Sequence, residues 1–255
     1  MIFMSKIKVL KFIEVITISS IFVGIAILGC GSENVDEGDE QDEIQPLDCG
    51  FENSSGTFFP FNAGNRWGYQ AENDPTSETN YTSFGGPTED GNLVVSFPDG
   101  VQRSSMTEYT KIGNRIGVLS FIEENQGAYE THYTYEPPKL VLSEDTQHLV
   151  KGATWTETTV RSSLSGGGAS GGMIEVLEEV DVTLKFTVID IDTPCTVPAG
   201  TSDECLTLRI EETLDSETRI REIVYAKNVG PVRRISNPDR ENSVVSVLAD
   251  CSVAE

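Results

Sequence analysis

Basic side chains are scarce in this chain: 18 Lys and Arg stand against 41 Asp and Glu, for a formal net charge of −23. That balance excludes nucleic-acid binding, which works by neutralising phosphates. It equally excludes docking on anionic lipid through a basic patch. Acidity on this scale keeps a protein soluble through self-repulsion. Histidine is nearly missing, with only His132 and His148. Both are read as surface side chains, and neither a metal nor a cofactor is expected. No serine is read as a nucleophile-elbow serine, because no base and orienting carboxylate accompany one. Glu178-Glu179 and Glu211-Glu212 are adjacent pairs. Neighbours on a strand face opposite sides, so neither pair forms a dyad by itself. The expectation is therefore a protein that is not an enzyme.

Helical periodicity is the other absence. Beyond residue 29 no segment carries a 3.6-residue apolar repeat, whereas period-two alternation is frequent. Val180, Val182, Leu184, Phe186 and Val188 alternate with Asp181, Thr183, Lys185 and Thr187. That pattern marks a half-buried antiparallel strand. At Val188-Ile189 the apolar face switches to Ile189 and Ile191, which predicts a bulge. Strands are also expected around Leu93–Phe97, Tyr129–Tyr135 and Leu206–Ile210. Further ones are expected at 66–72, 80–85, 105–112, 153–161, 217–227, 230–235 and 243–248. Residues 114–122 are apolar on both faces and are read as a doubly covered strand. Turn signals separate these runs at Asp90-Gly91, Pro98-Asp99-Gly100, Ile112-Gly113-Asn114 and Pro198-Ala199-Gly200. Ser162 to Gly172 (SSLSGGGASGG) reads as a flexible loop. It lacks the Lys and Ser/Thr that a phosphate-cradling loop needs. The fold class expected is mainly β, as a single curled antiparallel sheet or half-open β-barrel that hides its edges.

The N-terminus carries an address. Lys6, Lys8 and Lys11 precede Val15–Leu28 (VITISSIFVGIAIL), an uncharged run of 14 residues. That is the length of a signal-peptide core and too short for the roughly 20 residues of a spanning helix. The run ends in Ile27-Leu28-Gly29-Cys30. This resembles the bacterial lipobox, in which a small residue precedes a Cys that receives diacylglycerol. The resemblance implies cleavage after Gly29, acylation of Cys30 and membrane attachment through its acyl chains. Leu28 is bulkier than the usual residue at that position. Gly31, rather than Asp, follows Cys30, which implies sorting to the outer membrane. Residues 1–29 would be a signal peptide and 30–48 a lipidated acidic tether. The tether holds seven acids between Glu33 and Glu43 and no base, so it cannot support a fold. An EF-hand reading fails at Asp36-Glu37-Gly38-Asp39, where alternation breaks. Residues 49–255 remain as a β-rich extracytoplasmic domain.

With Cys30 acylated, Cys49, Cys195, Cys205 and Cys251 are left. Four cysteines allow three connectivities. Cys195–Cys205 and Cys49–Cys251 are favoured: the first pair flanks the Pro-Ala-Gly turn, and the second joins the start of the domain to its end. Zinc would need closely spaced Cys pairs, which are missing. Asn53-Ser54-Ser55 and Asn80-Tyr81-Thr82 match glycosylation sequons, which carry no weight beside a bacterial lipobox.

Three stretches resemble a broad group of bacterial lipoproteins of unknown function. They are Phe59-Pro60-Phe61-Asn62-Ala63-Gly64-Asn65-Arg66-Trp67-Gly68-Tyr69, Gly152-Ala153-Thr154-Trp155, and Val197-Pro198-Ala199-Gly200-Thr201 with the later Tyr225-Ala226-Lys227-Asn228-Val229-Gly230-Pro231-Val232. Ser202 stands where that group has an aromatic. Some relatives look like periplasmic lipoprotein carriers, half-barrels with an apolar concave face. The resemblance implies an apolar ligand held in a curled sheet, or alternatively an envelope protein partner and a filled core. Replacing Cys30 by Ser is expected to release the protein from membranes and to remove its sensitivity to globomycin. Fractionation and gel mobility would check this, and unchanged membrane partition would overturn the address.

Overall fold

The chain was analysed as a computed structural model, which describes residues 49, 56–74, 76–77, 79–99, 103–125, 129–167, 175–240 and 243–252. The leader, Cys30, the tether and the Asn53 sequon lie outside these residues. Twelve strands form one antiparallel sheet: β1 (Arg66–Ala71), β2 (Asn80–Pro87), β3 (Leu93–Asp99), β4 (Arg103–Ile112), β5 (Arg115–Asn125), β6 (Tyr129–Ser143), β7 (Thr154–Gly167), β8 (Glu175–Val197), β9 (Gly200–Leu214), β10 (Glu217–Ala226), β11 (Gly230–Ser236) and β12 (Val244–Ser252). Each strand pairs with its sequence neighbours, and β1 pairs with β12, so the sheet closes into a barrel. The chain is mainly β as expected, but the barrel is closed rather than half-open. The seam runs from Arg66↔Ser252 to Ala71↔Ser246, and closure removes both sheet edges.

Two disulfides form as expected, Cys49–Cys251 and Cys195–Cys205. The first fastens the entering chain to the end of β12 beside the seam. Its closed loop spans 202 residues, which chain-entropy reasoning values at about 5 kcal/mol. The second crosses the β8–β9 hairpin, whose turn is Pro198-Ala199.

Alternation places Val182, Leu184, Phe186, Leu208 and Ile210 inside, all nearly inaccessible. Asp181, Thr183 and Lys185 between them are exposed. This is the reverse of a membrane-spanning barrel, where outward charges at mid-bilayer cost about 2–4 kcal/mol each. The predicted bulge is present, with the β8–β9 register shifting between Val188 and Asp190. Ile191 reaches the core, but Ile189 is 42% exposed, because further shifts follow toward Cys195. Residues 114–122 are not doubly covered. They form β5, one wall of a single sheet, in which Ile116 and Val118 are buried and Leu119, Phe121 and Ile122 are half-buried. The loop expected at 162–172 is also corrected. β7 continues through Gly167, paired with β6 from Glu136↔Val160 to Tyr129↔Gly167. Backbone pairing to the tyrosine-rich β6 overrides the low strand propensity of the Ser/Gly run.

One end of the barrel is stopped by aromatic packing. Residues 56–65 enter there, and Phe59 lies against Trp67, Phe84, Tyr109 and Tyr225 with centroids 5.9–6.4 Å apart. Trp67 meets Phe84 edge-on at 4.9 Å and donates from Nε1 to the Val229 carbonyl at 2.7 Å. Gly64 and Gly152, each three residues before a Trp, have φ of 88° and 82°, as turns delivering those rings require. The second ring, Trp155, stacks on Phe186 at 5.0 Å.

Gly230 has φ of 104°, and a Cβ there would stand 3.1 Å from Trp67 Cζ2. Both the backbone conformation and the ring demand glycine. Gly230→Ala is expected to destabilise the barrel by about 1–3 kcal/mol, the usual cost of such backbone strain. It should also shift the Trp67 emission. Urea unfolding followed by fluorescence would check both, and an unchanged midpoint would refute the role.

Candidate ligand-binding cavity

Toward the opposite end the described residues leave the lumen unfilled. A cavity of about 1220 Å³ occupies that half of the lumen. An eight-stranded barrel is just wide enough for side chains to fill, and wider barrels leave room inside. At about 30 Å³ per molecule the space would take roughly 40 waters. Its floor is the top of the aromatic stopper, Phe59, Tyr109 and Tyr225, with Ile223 and Val118 beside it.

The walls are charged. Six cations, Lys139, Arg161, Arg219, Arg221, Arg234 and Arg240, face three carboxylates, Glu123, Glu212 and Glu217, whereas Glu222 alternates outward and pairs with Arg209 at 3.0 Å. A third of the chain's 18 basic groups thus line one cavity in a protein of net charge −23. Lys139 on β6 reaches across the lumen to Glu212 on β9, Nζ to Oε1 at 3.1 Å. Arg221 Nη2 approaches the other Glu212 oxygen at 3.6 Å. Arg161 Nη2 is 4.0 Å from Glu178, a long contact. Its guanidinium lies 5.1 Å over the Tyr133 ring, which itself stacks on Phe121 at 6.0 Å. Arg234 covers Tyr69 at 4.3 Å and donates to its hydroxyl at 3.3 Å. Among the described residues, Nε of Arg161 and of Arg221 is buried and without an acceptor, as is that of Arg233, which pairs with Glu72 away from the cavity.

Burial, reinforced by repulsion from Arg221 and Arg161, holds the Lys139 ammonium below the usual lysine range against the pull of Glu212. Burial pushes the Glu212 carboxyl up, but Lys139 and Arg221 outweigh it and keep it below the usual carboxylate range. Burial and the nearby Glu212 charge push Tyr135 up to about 12. Its hydroxyl therefore remains a donor at any physiological pH. Burial likewise raises Tyr109 and Tyr225.

Compared with known proteins, the chain matches no family model, no curated protein and no solved structure. The cavity's chemistry therefore has to be argued from its own residues.

The residues weighed in the sequence fall out as follows. Glu211 and Glu212 split as alternation requires: Glu211 faces out to Lys185 at 3.0 Å, and Glu212 faces in. His148 is not a surface histidine. It stacks on Trp155 at 4.1 Å and 8°, with Nδ1 2.8 Å from Ser143 Oγ and 3.9 Å from Asp145. All three belong to the β6–β7 end of the barrel, away from the cavity. Ser143 is 1% exposed and lies on the same ring nitrogen as Asp145, so no base-and-orienter relay exists there. His132 is half-buried on β6, opposite Ile122 and Leu164. The glycine run does contain a literal G-x-S-x-G, Gly168-Ala169-Ser170-Gly171-Gly172, outside the described residues. It connects the antiparallel neighbours β7 and β8 and is not the strand-to-helix turn of a nucleophile elbow. Sequence reasoning missed the cavity cations altogether. The available signal was charge at inward positions: Arg161 in step with Trp155 on β7, and Arg221 in step with Ile223 and Tyr225 on β10.

Lys139→Met is expected to destabilise the protein by about 2–3 kcal/mol, below the range for a fully buried pair because 13% and 19% of the two side chains stay accessible. The folded pKa of Glu212 lies below the ordinary carboxylate value of 4.5. Its favourable contribution is thus fully present above pH 4.5 and lost as pH falls through the folded value. The deficit of the variant should consequently be largest above pH 4.5 and shrink toward acid. Denaturant titrations at several pH values would check this, and a deficit independent of pH would contradict it.

Proposed function

We propose that this is a membrane-anchored bacterial envelope lipoprotein, without enzymatic activity, whose barrel binds a small ligand in its lumen. One observation carries the reading: half of the lumen is packed with aromatic and aliphatic side chains, while the other half is a 1220 Å³ cavity lined by cations. A barrel serving only as a scaffold gains nothing from drawing charged side chains into its interior. Anchoring rests on the lipobox at Cys30, and the localisation proposed is the outer membrane. The motif resemblance to carrier-like lipoproteins supports the same direction. An apolar ligand, as that resemblance implies, would meet aromatic and aliphatic groups only at the floor, so the occupant is amphiphilic.

The alternative, a structural or protein-interaction lipoprotein, would draw on exposed apolar groups. Met106, Ile112, Val150, Val160, Ile189 and Val244 are exposed, but they lie on different strands and turns and have the scattered distribution of ordinary surfaces. Native mass spectrometry of protein gently extracted from its membrane is expected to show a bound small molecule beyond the acyl groups. Thr107→Trp, which fills the lumen from β4, should abolish it. A bare polypeptide in both samples would overturn the reading.

A further inference from the structure

The lumen's charge pattern narrows the ligand, and the narrowing rests on the binding reading above. Cations on four strands converge on the cavity: Lys139 of β6, Arg161 of β7, Arg221 of β10 and Arg234 of β11. Arg234 lies directly opposite Ile223 in the β10–β11 ladder, and Arg221 opposite Ser236. The two guanidinium groups are therefore diagonal neighbours on the inner face. Glu212 is shared by Lys139 and Arg221, and Arg161 has Glu178 at 4.0 Å. Guanidinium forks match a carboxylate or a phosphate, whose paired oxygens accept in parallel. Tyr135, held protonated, adds a neutral donor. Below this polar ring the floor changes character, to Phe59, Ile223, Val118 and Tyr225.

We infer that the cavity takes an amphiphilic anion, a carboxylate or phosphate monoester carried on an apolar body. The headgroup lies between Arg161 and Arg221, with Arg234 and Tyr135 adjoining, and the body rests on the aromatic floor. The Lys139–Glu212 bridge acts as a positioning pair that orients Arg221, because Glu212 holds one side of its guanidinium. An uncharged analogue would leave the converging guanidinium groups without a counter-charge. Loss of such a contact in a site built for it costs several orders of magnitude at the extreme.

The test uses the chain from residue 30 onward carrying Cys30→Ser, titrated calorimetrically with decanoate, decyl phosphate, decanol and inorganic phosphate. At least one of the two decyl anions is expected to bind, at least tenfold more tightly than decanol and than inorganic phosphate. Which of them binds tighter identifies the headgroup. Arg221→Gln and, separately, Arg161→Gln should each weaken that anion at least tenfold and leave any decanol binding unchanged, with unaltered thermal melting. Decanol binding as tightly as the anions would overturn the anion assignment while leaving the lumen a ligand site. Inorganic phosphate binding as tightly as decyl phosphate would overturn the apolar body. Binding of none of the four, by a protein that melts cooperatively, would overturn both this assignment and the binding reading it rests on.

Discussion

Closure of twelve strands fixes nearly everything else in this molecule. Pairing of β1 with β12 satisfies the last exposed ladder, and it also sets a lumen wider than two facing rows of side chains can fill. An unfilled apolar lumen would forfeit dispersion contacts along its whole lining. Two solutions are used, one at each end. The end where the chain enters is stopped by Phe58, Phe59, Trp67 and Phe84, an aromatic mass large enough to span the interior. The other end is lined with long polar side chains that tolerate water. The stopper depends on the seam, because Trp67 lies on β1 and packs across β12 onto Val229 and Gly230. The entry segment is tied down by the β10–β11 turn, through Asn228 N–H donating to the Thr57 carbonyl at 2.7 Å. The Cys49–Cys251 bridge secures the same corner.

The electrostatics follow from that division. Desolvating Lys139, Arg161, Arg221 and Arg234 opposes folding, and one shared carboxylate, Glu212, offsets only part of the cost. A purely structural lining of Thr, Ser and Gln would solvate a wet lumen with less penalty. Side chains perturbed in this way, Lys139 by burial and Glu212 by its cationic neighbours, cluster at functional sites. The exterior pulls the other way. A net charge of −23 repels anions at long range, although screening confines that effect to about 8–10 Å at physiological ionic strength. Under the proposed binding, an anion that reaches the cavity leaves the repulsive field and meets charges of opposite sign, and salt should speed association rather than retard it.

Much of the fold was legible in the sequence. The expected strands are present, Cys195–Cys205 forms across the turn that the pair flanks and Cys49–Cys251 joins the start of the domain to its end, and the Val188 bulge lies where the apolar face switched. The failures have common causes. Ser162–Gly167 has the composition of a loop, but its partner β6 supplies the ladder that its own side chains do not encourage. The 114–122 run is apolar on both faces because β5 shifts register twice against β6, between Ile116 and Gly117 and between Val118 and Ser120. Closure was invisible because pairing of β1 with β12 is a contact between chain ends, and periodicity within a segment carries no information about it. The cavity was half legible. Arg161, Glu212 and Arg221 each stand at an inward position of a clearly alternating strand, where a charge is an anomaly. Lys139 gave no such warning, since it follows Pro137-Pro138 in a part of β6 where alternation is interrupted.

Topology also bears on how a tethered barrel could exchange a ligand. Up-and-down connectivity places the start of β1 and the end of β12 at the same end, the one closed by aromatics. Cys49 is bonded to Cys251 there, so any pull transmitted along the preceding chain reaches both seam strands together and shears neither from its partner. The cavity lies toward the other ends of the strands, among residues of β5, β6, β10 and β11. The disulfide-clamped corner of the seam and the cation-lined space therefore occupy opposite ends of the barrel, so the space can be filled or emptied without loosening the stopper.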